Sequence, residues 1–160
     1  MRYDSCLIVV SSIEASKKFY TELLGQTVLY DFGECVSFGG FSLQEKKLWA
    51  EFLQKNEGDI GFGALDAELY FNEDDFDAFL ERLDKAGIEK AAPPVTHSWG
   101  QRAVRFYDPD RHIIEVAESM EFVCRRMLAS GLSVEETAEL SQHPVEFVRD
   151  VLKTMGDEKE

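Results

Sequence analysis

A pattern of predicted elements that occurs twice within residues 1–119 is the feature that most constrains the fold. The first copy opens with SCLIVV, an apolar run that predicts a buried strand, and continues with IEASKKFYTELLG, whose apolar spacing predicts an amphipathic helix. Ser12 can cap the start of this helix and Gly25 can end it. Three β-rich runs, QTVLYDF, ECVSFG and FSLQE, then predict a meander.

The second copy repeats this order with barely any matching letters. AELYFN predicts a strand, and EDDFDAFLERLDKAG predicts a helix with an acidic first turn. After the Pro-rich segment IEKAAPPVTHSWG, the runs RAVRFYD and HIIEVAE predict strands joined by a DPDR turn. A strand, a helix and a series of further strands thus recur with a period of roughly 60 residues.

This repeat predicts an α+β domain over residues 1–119, built from two like halves around a small-molecule pocket. The halves are about 1–45 and 66–119, and the linker over 46–65 contains a short helix-like piece and a Gly-rich stretch. An ordinary α+β domain with unrelated elements is the alternative, but it explains the double cycle less well.

Residues 120–160 predict an acidic helical extension of three helices: EFVCRRMLAS, SVEETAEL and HPVEFVRDVLKTM. The stretch GLSVEETAELSQHPVEFVRDVL resembles the helix-turn-helix of bacterial regulators. However, residues 131–160 contain eight acidic and three basic side chains, whereas a recognition helix needs cationic or amide groups. We therefore expect the extension to pack on the domain, cover its cleft or join a dimer partner.

The overall charge narrows the classes of partner. Lys and Arg number 17 against 31 Asp and Glu, so the net charge is −14, which repels nucleic acids and anionic lipid surfaces. The three cysteines form no CxxC pair, and the apolar run at the N-terminus is too short for a signal peptide or a membrane span. We expect a cytoplasmic protein, a homodimer as its assembly, and neither nucleic-acid nor membrane partners.

The segment HSWGQRAVRFYDPDRHIIEVAE over residues 97–118, together with IEASKKFYTELLG, resembles the glyoxalase/bleomycin-resistance/dioxygenase group, the vicinal oxygen chelate (VOC) superfamily. The resemblance covers about residues 3–119 and rests on FYxxLLG lying roughly 85 residues before DPDxHxIEV. It implies paired βαβββ modules whose sheets curl around a cleft.

The resemblance also implies metal ligands on the first strand of each half and on the closing strand, at Ser5, Glu68 and Glu115. Ser5 stands where metal-using relatives usually carry His or Gln, and a neutral hydroxyl is a poor ligand for a divalent ion. Gln44 or Glu45 can supply a fourth ligand. The cofactor stays open between none and a divalent ion, with Mg²⁺ or Mn²⁺ fitting better than Zn²⁺; Ni²⁺ is a further possibility.

Strand periodicity gives independent information about Glu115. In HIIEVAE, Ile114 and Val116 lie on one face and Glu115 on the other. A carboxylate between apolar neighbours must be hydrogen-bonded, paired, metal-bound or at a wet cleft, and desolvation makes a carboxylate a general base at neutral pH. Glu115 is therefore the candidate catalytic residue, with a plain glutamate paired to a cross-strand Arg as the alternative.

In RAVRFYD, Arg105 and Tyr107 share a face that should look into the cleft, because Val104 and Phe106 suit the helix-covered side. Arg105 and Glu115 would then be neighbours on adjacent strands. They form either a plain salt bridge or a binding pair for an anionic or carbonyl-bearing ligand. Tyr107 joins Arg105 as a candidate ligand-binding residue.

Three aromatic side chains outside these strands are further candidates for ligand binding. His97 and Trp99 lie in the loop before RAVRFYD, where rim loops often touch ligand, and Trp49 lies on the helix-like piece of the linker. The two tryptophans have a packing alternative: Trp99 can plug the end of the core, and Trp49 can pack on the sheet.

Three functional classes follow, two from the VOC resemblance and one from the helix-turn-helix-like extension. The first is a protein that binds a small polar or aromatic molecule, with lactoylglutathione lyase-like activity in which a metal stabilises an enediolate while a carboxylate moves a proton. The second is metal-free binding or antibiotic sequestration. Ser5 favours the second class, and the carboxylates Glu68 and Glu115 favour the first. The third class, a ligand-sensing transcriptional regulator, is opposed by charge.

Overall fold

The computed structural model of the protein describes residues 1–157. Contacts divide the chain into two compact units. Unit 1 comprises Met1–Glu68 together with Tyr107–Ile113, and unit 2 comprises Leu69–Phe106 together with the chain from Ile114 onward. Each unit is described by itself below.

The first four-stranded sheet has the strand order β1-β4-β3-β2. Its strands are β1 (Cys6–Val10), β2 (Tyr30–Asp31), β3 (Cys35–Ser37) and β4 (Phe41–Glu45). The predicted meander of β2, β3 and β4 is antiparallel, while β1 pairs with β4 in parallel. The run QTVLYDF, predicted as a strand, contributes only the two residues of β2.

The first predicted helix begins as expected and then changes type. Helix α1 (Ile13–Lys18) starts at Ser12, whose side chain accepts a hydrogen bond from the Ala15 amide, and the segment Phe19–Leu23 continues it as a π-helix. The Thr21 hydroxyl donates to the Lys17 carbonyl at 2.9 Å, so the side chain competes for an acceptor of the helical ladder. The linker then contains α2 (Lys46–Phe52) and a 3₁₀ turn, Glu57–Asp59.

The second sheet has the order β5-β8-β7-β6. Its strands are β5 (Glu68–Asn72), β6 (Lys90–Thr96), β7 (Arg102–Tyr107) and β8 (Ile113–Ala117). Strand β6 corrects the sequence interpretation, because it lies within the segment read as a Pro-rich loop. It is an edge strand with register shifts around its two prolines, and an edge tolerates proline because one side of the strand makes no ladder hydrogen bonds.

Helix α3 (Phe76–Lys85) covers one face of the second sheet. Phe76, Phe79 and Leu83 are buried, and the Phe79 and Phe106 rings lie 5.8 Å apart between centroids. Phe106 therefore faces the helix, as its place in the alternation predicted.

The C-terminal extension contains α4 (Met120–Ala129), α5 (Val134–Ser141) and α6 (Val145–Asp157). Ser133 and Glu136 form the predicted capping box at the start of α5. The three helices share a core of Cys124, Ala138, Val148 and Val151. Among the helices within residues 1–157, none is long and apolar enough to cross a membrane. The α+β fold of paired βαβββ modules followed by a helical stretch is confirmed.

Candidate functional site

Arg105 and Glu115 form an ion pair between the neighbouring strands β7 and β8. The carboxylate side chain is only 5% exposed, whereas the Arg105 side chain is 35% exposed. The guanidinium compensates the buried charge of Glu115. Of the two groups, Arg105 is therefore the one more open to an incoming molecule, and the role of Glu115 as a general base stays a prediction.

A hydrogen-bonded chain orients Trp99 in the loop of residues 97–101. The Trp99 indole N–H donates to Gln101 Oε1 at 3.0 Å, and Gln101 Nε2 donates to the Tyr70 hydroxyl at 2.8 Å. The His97 and Trp99 rings stack with centroids 4.2 Å apart and planes within 5°. The Gln101 side chain is buried, while Tyr70 remains 50% exposed.

Alternation along the extended segment places Gln101 and Arg105 on the same face of the second sheet, opposite α3. Arg102 lies on the opposite face of the strand and contacts α3, where its guanidinium carbon lies 5.1 Å from the Phe76 ring centroid. The hydroxyl of Tyr70 accepts a hydrogen bond from Gln101 Nε2, so Tyr70 lies on the same face of the second sheet as Gln101. Sequence reasoning did not single out Tyr70, although the alternation within AELYFN offered a signal.

Tyr107 and Trp49 lie in unit 1. The Arg111 guanidinium carbon is 4.0 Å from the Tyr107 ring centroid, a cation–π contact. Arg111 has φ 68°, a conformation that usually favours glycine, and the contact with Tyr107 helps to offset its cost. Trp49 is half-buried in α2. A role in ligand binding stays a prediction for both aromatic residues.

The positions that the resemblance assigns to metal ligands do not fit a divalent ion. Ser5 and Glu68 supply a hydroxyl and an exposed carboxylate, the Glu115 carboxylate is paired with a guanidinium, and Gln44 Nε2 donates to the Glu34 carbonyl at 2.9 Å. Within residues 1–157, no group of three or more His, Cys, Asp or Glu side chains is arranged to hold a metal. A cation at Glu115 would have to displace Arg105.

A buried carboxylate that sequence reasoning missed organises the turn between β7 and β8 in unit 1. Asp108 accepts hydrogen bonds from the Tyr20 hydroxyl at 2.9 Å, from the Asp110 and His112 amides, and pairs with His112 Nδ1 at 2.8 Å. Asp110 in turn accepts from the Ser11 amide at 2.8 Å.

This network shifts two pKa values. Burial raises the pKa of the Tyr20 hydroxyl, and the charge of Asp108 adds to the effect. Burial by itself lowers the pKa of His112, but the hydrogen bond to Asp108 and the charges of Asp108 and Asp110 outweigh it, so the net pKa is raised. The folded state therefore favours the charged form of His112 more than the unfolded chain does.

A second buried carboxylate, Glu118, lies in unit 2 and was also missed. It accepts from Arg102 Nε at 2.8 Å and from Arg126 Nη2 at 3.0 Å. Arg102 also pairs with Asp77 of α3 at 2.9 Å. The backbone carbonyl of Glu118 accepts from Gln101 Nε2 at 2.7 Å, which connects this cluster to the loop that carries Trp99.

Comparison with known families identifies the class to which the protein belongs. The family model of the glyoxalase-like domain matches residues 3–121. The chain therefore belongs to this family, within the VOC superfamily. Helices α5 and α6 and most of α4 lie beyond the matched residues. No curated protein matches the chain significantly.

Solved structures give more particular likenesses. A protein of unknown function from Agrobacterium tumefaciens is 37% identical, with a TM-score of 0.67 over 74% of this chain and 94% of that one. The fosfomycin resistance protein FosX from Mesorhizobium loti is 19% identical, with a TM-score of 0.53 over 74% of this chain and 92% of its own. A lactoylglutathione lyase from A. tumefaciens is 17% identical, with a TM-score of 0.56 over 74% and 93%. The last two show the fold alone.

Proposed function

We propose that the protein binds a small ligand with an anionic or carbonyl group beside a flat, polar or aromatic part, and that it does so without a metal ion. The ligand would lie on the face of the second sheet opposite α3. The observation that carries the proposal is the Arg105–Glu115 pair, in which the cation is the more exposed partner.

Arg105 is suited to an anionic or carbonyl oxygen because its planar guanidinium donates several hydrogen bonds in a fixed geometry. Glu115 holds this cation from the buried side and limits its rotation. An oriented, partly desolvated guanidinium binds oxyanions more strongly than a mobile surface lysine. In this arrangement Glu115 positions Arg105, and general-base catalysis by Glu115 is a further possibility that rests on the family resemblance.

The flat part of the ligand would meet Trp99 and Tyr70. The Trp99 indole N–H is held by Gln101, which fixes the ring, and Tyr70 offers an aromatic surface that is half exposed. Aromatic side chains with few rotatable bonds bind flat molecules at a low entropic cost.

The metal-free class is favoured over a metal-dependent lyase by the ligand chemistry. Ser5 offers no strong ligand, and the Glu115 carboxylate already faces a guanidinium. The fold neighbours include a fosfomycin resistance protein and a lactoylglutathione lyase by name, and at their level of identity they show the fold alone. A homodimer and a cytoplasmic location stay expectations.

Calorimetry after dialysis against a chelator tests the proposal, with benzoate and phenylphosphonate as aromatic anionic probes. We expect binding of at least one probe by the metal-depleted protein, and a loss of affinity of about tenfold or more in Arg105→Gln. Arg82→Gln is the matched control, since Arg82 is a partly exposed arginine paired with Glu73, and it should bind like the wild type.

Two results would overturn the proposal. One is a wild type that binds neither probe, or that binds only after stoichiometric loading with Mn²⁺, Ni²⁺ or Zn²⁺. The other is an Arg105→Gln variant with the same affinity as the Arg82→Gln control.

A further inference from the structure

We infer that the helical extension is a support for the loop of residues 97–101, and that Arg126 is the positioning residue through which it acts. The effect on ligand affinity rests on the proposed function. The coupling between extension and loop does not, and it can be measured without a ligand.

Arg126 joins the extension to the loop directly. One nitrogen of its guanidinium, Nη2, donates to the Gly100 carbonyl at 2.8 Å and to Glu118 Oε2 at 3.0 Å. Glu118 is fully buried, so its charge is compensated by a cation from α4 as well as by Arg102. The same arginine therefore anchors α4 and satisfies a loop carbonyl.

Packing at Gly100 reinforces this anchor. The residue has φ 83°, and a Cβ added there would lie 2.4 Å from the Met127 methyl carbon and 3.6 Å from Val123 Cγ1. The φ angle of Gly100 favours a glycine, and the short distance shows that the flexible Met127 side chain of α4 packs directly against it. The loop is closed by hydrogen bonds from the His97 amide to the Gln101 carbonyl and from the Gly100 amide to the His97 carbonyl.

Gln101 connects the loop to the proposed ligand-binding face. This buried side chain contacts the Glu118 carbonyl, the Tyr70 hydroxyl and the Trp99 indole. A displacement of the loop would therefore disturb the orientation of Trp99. Because the family match ends at residue 121, this support comes from a part of the chain that the family model does not include.

The extension is built to serve as a rigid support. Its helices share the apolar core described above, and Arg125 Nη2 of α4 donates to Thr154 Oγ1 of α6 at 3.0 Å. Stabilisation within the extension can thus be passed to the loop through Arg126 and Met127.

The test uses the full chain carrying Trp49→Phe, which leaves Trp99 as the single tryptophan. Arg126→Met should speed hydrogen exchange at the His97 and Gly100 amides on the order of fivefold or more and increase acrylamide quenching of Trp99. Arg126→Lys keeps the charge and should recover part of both signals. Lys153→Met, which removes an exposed cation of α6 that pairs with Asp150 of the same helix, should leave both signals at the wild-type level.

Exchange at the amides of α5 and α6 reports on unfolding of the extension itself. Should Arg126→Met remove that protection, Met127→Ala provides the second test, because it loosens the Gly100 contact without changing charge; faster exchange at the loop with α5 and α6 still protected is expected. Loop exchange and Trp99 quenching equal to the Lys153→Met control in both variants would refute the coupling. The affinities of the same variants for the probes are measured in a separate experiment. If the proposed function fails, the exchange and quenching results still test the coupling between the extension and the loop.

Discussion

Each unit contains a carboxylate whose side chain is fully buried, and the two carboxylates are compensated in different ways. Asp108 in unit 1 is held by a tyrosine hydroxyl, by two backbone amides and by His112. Glu118 in unit 2 is held by the guanidinium groups of Arg102 and Arg126. Both residues flank segments that carry candidate site residues.

This difference predicts that the two clusters respond differently to pH and to substitutions that remove a charge. Guanidinium groups stay charged at every pH at which proteins are normally studied, so the two cations that hold Glu118 do not change charge near neutrality. The imidazole of His112 titrates in that range, so the Asp108 turn should respond. Conversely, the Glu118 cluster depends on full charges around a buried carboxylate. A substitution that removes one of these charges should therefore lower the free energy of unfolding more than a substitution in the Asp108 turn.

The largest expected effect is that of Glu118→Gln. The amide keeps an acceptor but removes the negative charge, so two arginines lose their common counterion, and we expect a loss of about 3 kcal/mol in the free energy of unfolding. Urea denaturation measures it. The control Glu121→Gln changes an exposed pair with Arg125 and should cost less than about 1 kcal/mol. Equal losses in the two variants would show that the cluster does not depend on the Glu118 charge.

A smaller effect is expected for Tyr20→Phe in the turn network. Asp108 loses one donor but keeps the amides and His112, so the free energy of unfolding should fall by about 1–2 kcal/mol. Tyr3→Phe is the control, because Tyr3 is 78% exposed and should change stability by less than about 0.5 kcal/mol. A Tyr20→Phe protein as stable as this control would contradict the role given to the hydroxyl.

The smallest effect is the pH dependence of the His112 contribution. Because the folded pKa of His112 is raised, the charged pair with Asp108 contributes fully below the unfolded pKa of about 6.5 and is lost as pH rises through the folded value. The stability advantage of the wild type over His112→Asn should therefore shrink between pH 6 and pH 8.5, as followed by urea denaturation. An advantage that is constant or grows with pH would reverse the assigned sign.

Much of the fold followed from short-range patterns in the sequence. The caps at Ser12 and Ser133, the strand alternation that separates Arg105 from Phe106, and the neighbouring positions of Arg105 and Glu115 were all predicted. Each depends on residues a few positions apart or on the regular geometry of a strand. Two predicted elements differ from the observed ones for local reasons. Thr21 lies where the first helix changes to a π-helix, and the prolines of β6 led to the prediction of a loop where the structure has an edge strand.

The buried carboxylates were beyond this reasoning. Asp108 is a turn residue in any sequence interpretation, and its bond to Tyr20 joins residues 88 positions apart. Glu118 is the last residue of the predicted strand HIIEVAE, and its partners are 16 and 8 positions away on two different elements. No periodicity indicates which charged residue will be buried, because burial depends on how distant elements pack.

The sequence by itself thus determined the family, the order of the elements and the two faces of the closing strands, since these follow from local propensity, alternation and motif spacing. The tertiary structure alone decided that the Glu115 carboxylate is buried while Arg105 stays partly exposed, that Trp99 is held by Gln101, and that the acidic extension reaches the loop through Arg126. The physical reason is that charge compensation and hydrogen-bond geometry depend on groups that packing brings together. The local sequence around a residue does not indicate which distant residue will become its partner.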